Sequence, residues 1–260
     1  MKIRFLGAHM FESNRTRLSS ILVDDVMAID AGGLTSALSF EEQERIQTVL
    51  LTHGHYDHIR DIPALALKHQ HRTIDIYAGR PTLEILTTHL INGTVYPRFH
   101  QQPSKEKPSL KLNSLEPNGV TKVNEYEVKA VPVRHAIPSV GYQVRDKQGN
   151  SVFFSGDTGP GLAACWEQIN PDVLIIETAL SNKSAGVAST PGHLCPSLLK
   201  KELEDFRRLK NYLPRVFITH MNPEVEEDIR RECRQVSDEL EAEIDLAYED
   251  MELVLPDKPS

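Results

Sequence analysis

LTHGHYDHIRDIPAL, residues 51–65, places three histidines and an aspartate within six positions, directly after an apolar run. Such a stretch is either a solvated loop that happens to be rich in histidine or half of a metal site. Half a site needs its other half elsewhere in the chain. TVLLTH (48–53) reads as a buried strand, and IRDIPALALKHQ (59–70) as a helix with Pro63 near its start, where proline is tolerated. Where a strand turns tightly into a helix, His53 and His55 can splay two imidazoles toward one point. Gly54 would supply the backbone freedom between them. Asp57 and His58 can then reach a second point nearby.

Other strand-like runs end in the same chemistry: VFFSGD at Asp157, VFITH at His220 and VKAVPVRH at His135. Strand ends at one edge of a sheet are where α/β folds build sites, because loops there vary while the strands hold position. A lone histidine is more often a core or surface residue. Four strand ends delivering only imidazole and carboxylate point instead to a metal centre. Nitrogen and oxygen ligands suit zinc, and also manganese or iron, and do not favour a thiolate-seeking metal. One point with three ligands and a second pair beside it suggests two metals, with Asp157 as the bridging carboxylate. Two divalent ions roughly 3.5–4 Å apart would hold a hydroxide nucleophile and clamp the attacked and leaving oxygens.

The bulk composition agrees with an ordinary soluble globular protein. The chain has 260 residues, 40% of them apolar and 25% charged, enough for one large domain or two small ones with an ample core for either. A formal net charge of -8 argues against a general polyanion binder but not against a local basic pocket. No apolar run is long enough to span a bilayer, and MKIRFLGAHM reads as a first strand rather than a signal peptide. Cys165, Cys195 and Cys233 are widely spaced, odd in number and never in a C-x-x-C arrangement, which suits a reducing cytoplasm and argues against both a disulfide framework and a thiolate zinc knot.

Strand and helix signals alternate from end to end. SSILVDDVMAIDAG reads as two strands folded about Asp24-Asp25, SFEEQERIQ as a helix, IDIYAG as a strand and RPTLEILTTHLIN as a helix. Residues 96–119 are irregular, either a surface connection or a lid. Then come YEVKAVPVRH and a hairpin about residues 147–150. Helices at GLAACWEQIN, SLLKKELEDFRRLKNY and EVEEDIRRECRQVSDELEAE alternate with strands DVLIIET, RVFITH and IDLAYEDMELVL. A single α/β domain over 1–260, with two sheets and helices outside, is the economical reading. The acidic helix at 223–243 is a solvated face or, alternatively, a homodimer face.

HGHYDH resembles the H-x-H-x-D-H signature of the metallo-β-lactamase-fold hydrolases, and His135, GDT (156–158) and THMNP (219–223) follow in that family's order. The resemblance covers nearly the whole chain. It implies an αβ/βα four-layer sandwich, one metal on His53, His55 and His135, a second on Asp57, His58 and His220, and Asp157 between them. The family often has glycine where this chain has Asp61. TPGH (190–193) resembles the third-ligand motif of thioester- and lactone-cleaving relatives but falls after Asp157 rather than before it. His69, His71, His89 and His100 compete with His135, but none ends a strand pattern.

HAIPSVGYQV (135–144) and RTRLSSILVD (15–24) resemble the phosphodiesterase branch, which holds the tRNA 3′-processing endonucleases and the class II cyclic-nucleotide phosphodiesterases. IIETAL (175–180) followed by GHL (192–194) resembles that branch's glutamate and histidine pair, which makes His193 the acid and Glu177 its orienting partner. Only a tight hairpin joins His135 to Asp157, where the tRNA enzymes carry a long arm, so a folded RNA substrate is disfavoured. THLINGTVYPRF (88–99) resembles a segment of the cyclic-nucleotide enzymes, with Tyr96 where tryptophan is frequent; Asn92-Gly93 is equally a helix stop. The expectation is a dinuclear hydrolase of a small phosphodiester, a cyclic nucleotide foremost, with Asp57 orienting the nucleophile. The alternatives are a tRNA 3′-processing-type endonuclease lacking the arm, lactone, thioester or β-lactam hydrolysis on the same scaffold, or a metal-binding regulatory protein.

Overall fold

The computed structural model describes residues 1–188 and 192–256. The first half of the chain supplies β1 (Lys2–Gly7), β2 (Ser20–Val23), β3 (Met27–Ile29), β4 (Thr48–Leu51), β5 (Ile74–Ala78) and β6 (Leu110–Ser114), neighbours in that order in one sheet. The second half supplies β7 (Val120–Val123), β8 (Tyr126–Pro132), β9 (Val140–Arg145), β10 (Ser151–Phe154), β11 (Val173–Glu177), β12 (Arg215–Thr219) and β13 (Ile244–Leu246), neighbours in a second sheet. A last strand, β14 (Glu252–Val254), returns to pair antiparallel with β1. Each sheet begins with antiparallel hairpins and continues with parallel strands. Parallel neighbours need crossovers, and helices supply most of them.

Helices α1 (Leu34–Ala37), α2 (Phe40–Glu44), α3 (Tyr56–Ile59), α4 (Ile62–Lys68) and α5 (Arg80–Ile85) belong to the first half. The second half carries α6 (Ala163–Gln168), α7 (Ala185–Ala188), α8 (Pro196–Lys210) and α9 (Glu226–Leu240). Alternation along the strands decides the layers. Ile21, Val23 and Leu50 share one core with Val128, Tyr142 and Val152 of the second sheet, continuing to Trp166 and Phe206. Leu22, Val49 and Leu51, one residue out of phase, share another with Ile59, Ile62 and Leu65. Successive side chains of a strand point to opposite faces, so both faces of the first sheet are covered. The outcome is the expected helix–sheet–sheet–helix sandwich.

Several elements differ from the sequence reading. Residues 96–119 are more than a plain connection: Phe99 is buried in the core, residues 110–114 are β6, and Ser114, Leu115, Glu116 and Pro117 line a cavity. Tyr96 lies outside the core and lines a separate hollow of about 340 Å³ with Arg98. Asn92 Oδ1 accepts hydrogen bonds from the Thr94 and Val95 amides, and Gly93 is left-handed, which makes the pair a helix stop. RPTLEILTTHLIN is α5 followed by a π turn at Leu86–Leu90. IDLAYEDMELVL splits into β13 and β14, which join different sheets because Tyr248 to Asp250 turn the chain between them. Helix α9 buries Ile229, Cys233, Val236 and Leu240.

Candidate metal centre

The C-terminal ends of β3, β4, β10, β11 and β12 meet at one end of the sandwich, where they deliver Asp30, His53, Asp157, Glu177 and His220. His55 N-caps α3, and Asp57 and His58 lie in its first turn. His135 follows β8. His55 Nδ1 lies 3.1 Å from both His53 Nε2 and His135 Nε2. On the other side His58 Nε2 lies 3.4 Å from Asp57 Oδ2. Asp157 stands between the two groups: Oδ1 is 3.2 Å from His58 Nε2, and Oδ2 is 3.2 Å from His220 Nε2 and 3.7 Å from His53 Nε2. Within each of the groups His53–His55–His135–Asp157 and Asp57–His58–Asp157–His220, one donor atom per residue falls within 4.8 Å of the others.

Partners behind the rings explain why these nitrogens face inward. Asp30 Oδ2 accepts from His58 Nδ1 at 2.7 Å, and the Gly192 carbonyl accepts from His135 Nδ1 at 3.0 Å. The Thr52 hydroxyl donates to Asp30 Oδ2 at 2.8 Å and is therefore free to accept from His53 Nδ1 at 3.0 Å. Ser19 Oγ lies 2.9 Å from His220 Nδ1. A proton fixed on Nδ1 leaves a lone pair on Nε2, so four rings present Nε2 to the centre, while His55 presents Nδ1. His58 Nε2 and Asp157 Oδ1 are buried without any hydrogen-bond partner, which is costly unless a further ligand satisfies them. This donor set could hold a metal ion.

The electrostatics have the same origin. Burial would raise the Asp157 carboxyl, but the charges of His220 and His58 hold it well below the usual carboxylate range. Burial pushes the His53 imidazole down, and the neighbouring His58 pushes it further. A neutral imidazole and an ionised carboxylate are the metal-binding forms. Burial would lower the His58 imidazole, but Asp157 and Asp30 raise it well above the usual range. The metal-free ring is therefore charged and would release its Nε2 proton on binding an ion. His220 and Asp30 both adopt left-handed backbone angles, φ 57° and 58°. Non-glycine residues in that region tend to mark functional sites.

Glu177 is fully buried and accepts from Thr158 N at 3.0 Å, Ala179 N at 3.0 Å and Leu194 N at 3.2 Å. Its Oε1 also accepts from His193 Nδ1 at 2.6 Å. The His193 ring lies 5.3 Å from that of His135 and stacks 5.7 Å from that of His220. Burial alone would lower the His193 pKa, but the hydrogen bond and charge of Glu177 raise it to about 9. His193 thus holds a proton near neutrality and aims its other nitrogen away from Glu177.

Gly54 has a different purpose from the one its sequence context suggests. Its backbone is not left-handed; a Cβ there would come within 2.6 Å of Ile85 Cδ1, so glycine makes room for α5. Asp61 accepts from the Thr35 amide at 2.7 Å and from Arg60 Nε at 2.9 Å, which ties the start of α4 to α1. Within TPGH, Thr190 and Pro191 lie outside the described residues, whereas Gly192 backs His135. Of the arginine and serine loop, Ser19 reaches the site, while Arg17 turns outward to Asp250 at 2.6 Å. Asp30, Thr52 and Gly192 were not anticipated. Asp30 carried a signal, since VMAID ends in an acid as VFFSGD does.

A cavity of about 900 Å³ opens beside the centre, with Thr52, His135, Gly192, Arg80 and Arg134 among its walls. Residues 20–221 match the beta-lactamase superfamily domain. The chain belongs to that superfamily. Its curated relatives include an octanoyltransferase of Porphyromonas gingivalis, 27% identical over 135 residues that cover 50% of this chain and 26% of that protein. A ribonuclease Z of Methanocaldococcus jannaschii is 30% identical over 153 residues, covering 55% of this chain and 46% of that one. The chain spans less than half the length of either curated relative. Unliganded yeast PDE1 shares the superfamily fold, with a TM-score of 0.83 at 20% identity over 98% of this chain and 99% of its own. Among the described residues of this superfamily member, no helix is long and apolar enough to cross a membrane.

Proposed function

We propose that the chain is a dinuclear metal-dependent phosphodiesterase acting on a small phosphodiester, a 3′,5′-cyclic nucleotide foremost. The observation that carries this reading is the His193–Glu177 pair, with a 2.6 Å bond, set against the rings of His135 and His220. An alkoxide leaving phosphorus needs a proton, and a histidine held protonated beside a cluster of metal-type donors is placed to give one. The similarity to ribonuclease Z supports chemistry at phosphodiesters, and a cavity of about 900 Å³ has room for a nucleotide.

In this reading His53, His55 and His135 would hold one ion and Asp57, His58 and His220 the other, with Asp157 within reach of both. Zinc is foremost, with manganese or iron as alternatives, because all donors are nitrogen or oxygen. Bound divalent ions supply Lewis acidity, which makes water a competent nucleophile at neutral pH and offsets the phosphate charge. Asp57, with its side chain 31% exposed, accepts a hydrogen bond from the attacking water and orients it. His193 donates its proton to the departing ribose oxygen. Glu177 positions His193 through Nδ1, its own oxygens fixed by three amides. Arg134 on the cavity wall would add positive charge beside an anionic substrate, whereas Arg80 is paired with Glu84 at 3.2 Å.

The ribonuclease Z similarity favours one second reading, the same chemistry on linear RNA. One assay separates them: hydrolysis of bis(p-nitrophenyl) phosphate, 3′,5′-cyclic AMP and a tRNA precursor by metal-quantified protein, with Asp157→Ala and His193→Ala in parallel. Cleavage of both small diesters, abolished by Asp157→Ala and slowed about 10²–10⁴-fold by His193→Ala, is expected. Cleavage of the precursor alone would transfer the reading to RNA. Silence toward all three by protein carrying two metals would refute phosphodiester chemistry.

A further inference from the structure

A second group of metal-type ligands converges at the far end of the first sheet. Strands β4 and β5 run parallel, so residues that lead into them lie at the end remote from His53. Glu44 closes α2 just before β4, His69 caps the C-terminus of α4, and His71 lies in the turn into β5. His69 Nδ1 is 3.0 Å from Glu44 Oε1, and His71 Nε2 is 3.2 Å from Glu44 Oε2. One donor atom from each of the three residues falls within 4.8 Å of the others.

We propose that Glu44, His69 and His71 form a separate site for a divalent transition-metal ion of the zinc and copper class, independent of the candidate catalytic centre. Two imidazoles and a carboxylate match the donor preference of Zn²⁺ and Cu²⁺, whereas Ca²⁺ and Mg²⁺ seek all-oxygen shells. His69 is fully buried, so an ion held by its ring would be shielded from solvent on that side. Glu44 and His71 reach solvent, with side chains 44% and 61% exposed, so an ion can enter from that side and complete its shell with water. Arg72 Nε lies 3.5 Å from Glu44 Oε2, and its guanidinium is held by the Gln43 and Ile46 carbonyls. That charge weakens the site relative to the main centre and sets its affinity in the range of an exposed three-ligand site. An ion there would pin the end of α2 to the turn between α4 and β5, a clamp of the fold rather than a second reaction centre.

The test is equilibrium dialysis of the full chain against buffered Zn²⁺, with bound metal counted by elemental analysis, for wild type, His71→Ala and Glu44→Gln. Both substitutions fall on exposed side chains, and circular dichroism checks the fold. Each variant is expected to bind one ion fewer than wild type at micromolar free zinc while keeping its diesterase rate. Cu²⁺ titration followed by electron paramagnetic resonance is expected to reveal nitrogen-ligated copper that His71→Ala loses. Equal stoichiometry in wild type and both variants overturns the site and leaves a hydrogen-bonded cluster. So does binding that needs free ion above about 1 mM.

Discussion

Replacing Asp30 with asparagine is expected to remove His58 from the metal centre without displacing it. The substitution conserves shape, and asparagine tolerates the left-handed angle at this position, φ 58°. Asp30 is fully buried and accepts from Thr52 N at 2.8 Å, Thr52 Oγ1 at 2.8 Å and His58 Nδ1 at 2.7 Å. An amide has one acceptor oxygen, which stays with Thr52 N. Its NH₂ then faces His58, and a donor meeting Nδ1–H forces the ring into the other tautomer. Nε2 becomes protonated and points an N–H at Asp157, 3.2 Å away, in place of a lone pair. Partners of ligating histidines are worth about 10–100-fold in metal affinity. Loss of hydrogen bonds to a buried charge costs the metal-free fold about 3 kcal/mol, or about 6–12 °C in Tm for a chain of this size. The assays are competitive zinc titration, urea unfolding of the metal-free chain and ¹⁵N NMR of the histidine tautomers. Wild-type zinc affinity in folded Asp30→Asn would refute the reasoning, because His58 would then ligate without its carboxylate partner.

Other substitutions test neighbouring links. Gly192→Ala puts a Cβ 2.8 Å from His135 Cα at φ 82°; it is expected to weaken the metal site and lower Tm, read by zinc titration and calorimetry. Ser19→Ala removes the partner of His220 Nδ1 and is expected to lower zinc affinity about 10-fold, with recovery in Ser19→Thr. His193 titrates near 9 in the folded chain against 6.5 for a free imidazole. Its raised pKa contributes stability that is fully present below about pH 6.5 and lost as pH rises through about 9. The metal-free wild type is expected to lose about 3 kcal/mol more than His193→Gln over that window in urea melts; parallel curves would remove the His193–Glu177 bond from the account.

Much of the sandwich was legible because both signals that build it are local. The all-buried, largely apolar runs of β2 and β4 mark strands covered on both faces. The capping box at Ser39 and Glu42 starts α2, and Pro196 and Asn211 bracket α8. The division of 244–254 between two sheets was not legible, because pairing of β14 with β1 is decided by residues some 250 positions away. The histidines stood out because metal-type side chains at strand ends are rare by chance. Their supports did not. Thr52 and Gly192 act through a hydroxyl and a carbonyl that look like any other in sequence, and Gly54 matters for space claimed by Ile85.

The central claim is that two ions share Asp157. Diffraction from zinc-loaded crystals at the zinc absorption edge tests it most directly. Two anomalous peaks roughly 3.5–4 Å apart, one among His53, His55 and His135 and one among Asp57, His58 and His220, are expected. A single peak, or a pair that leaves Asp157 uncoordinated, would contradict the claim.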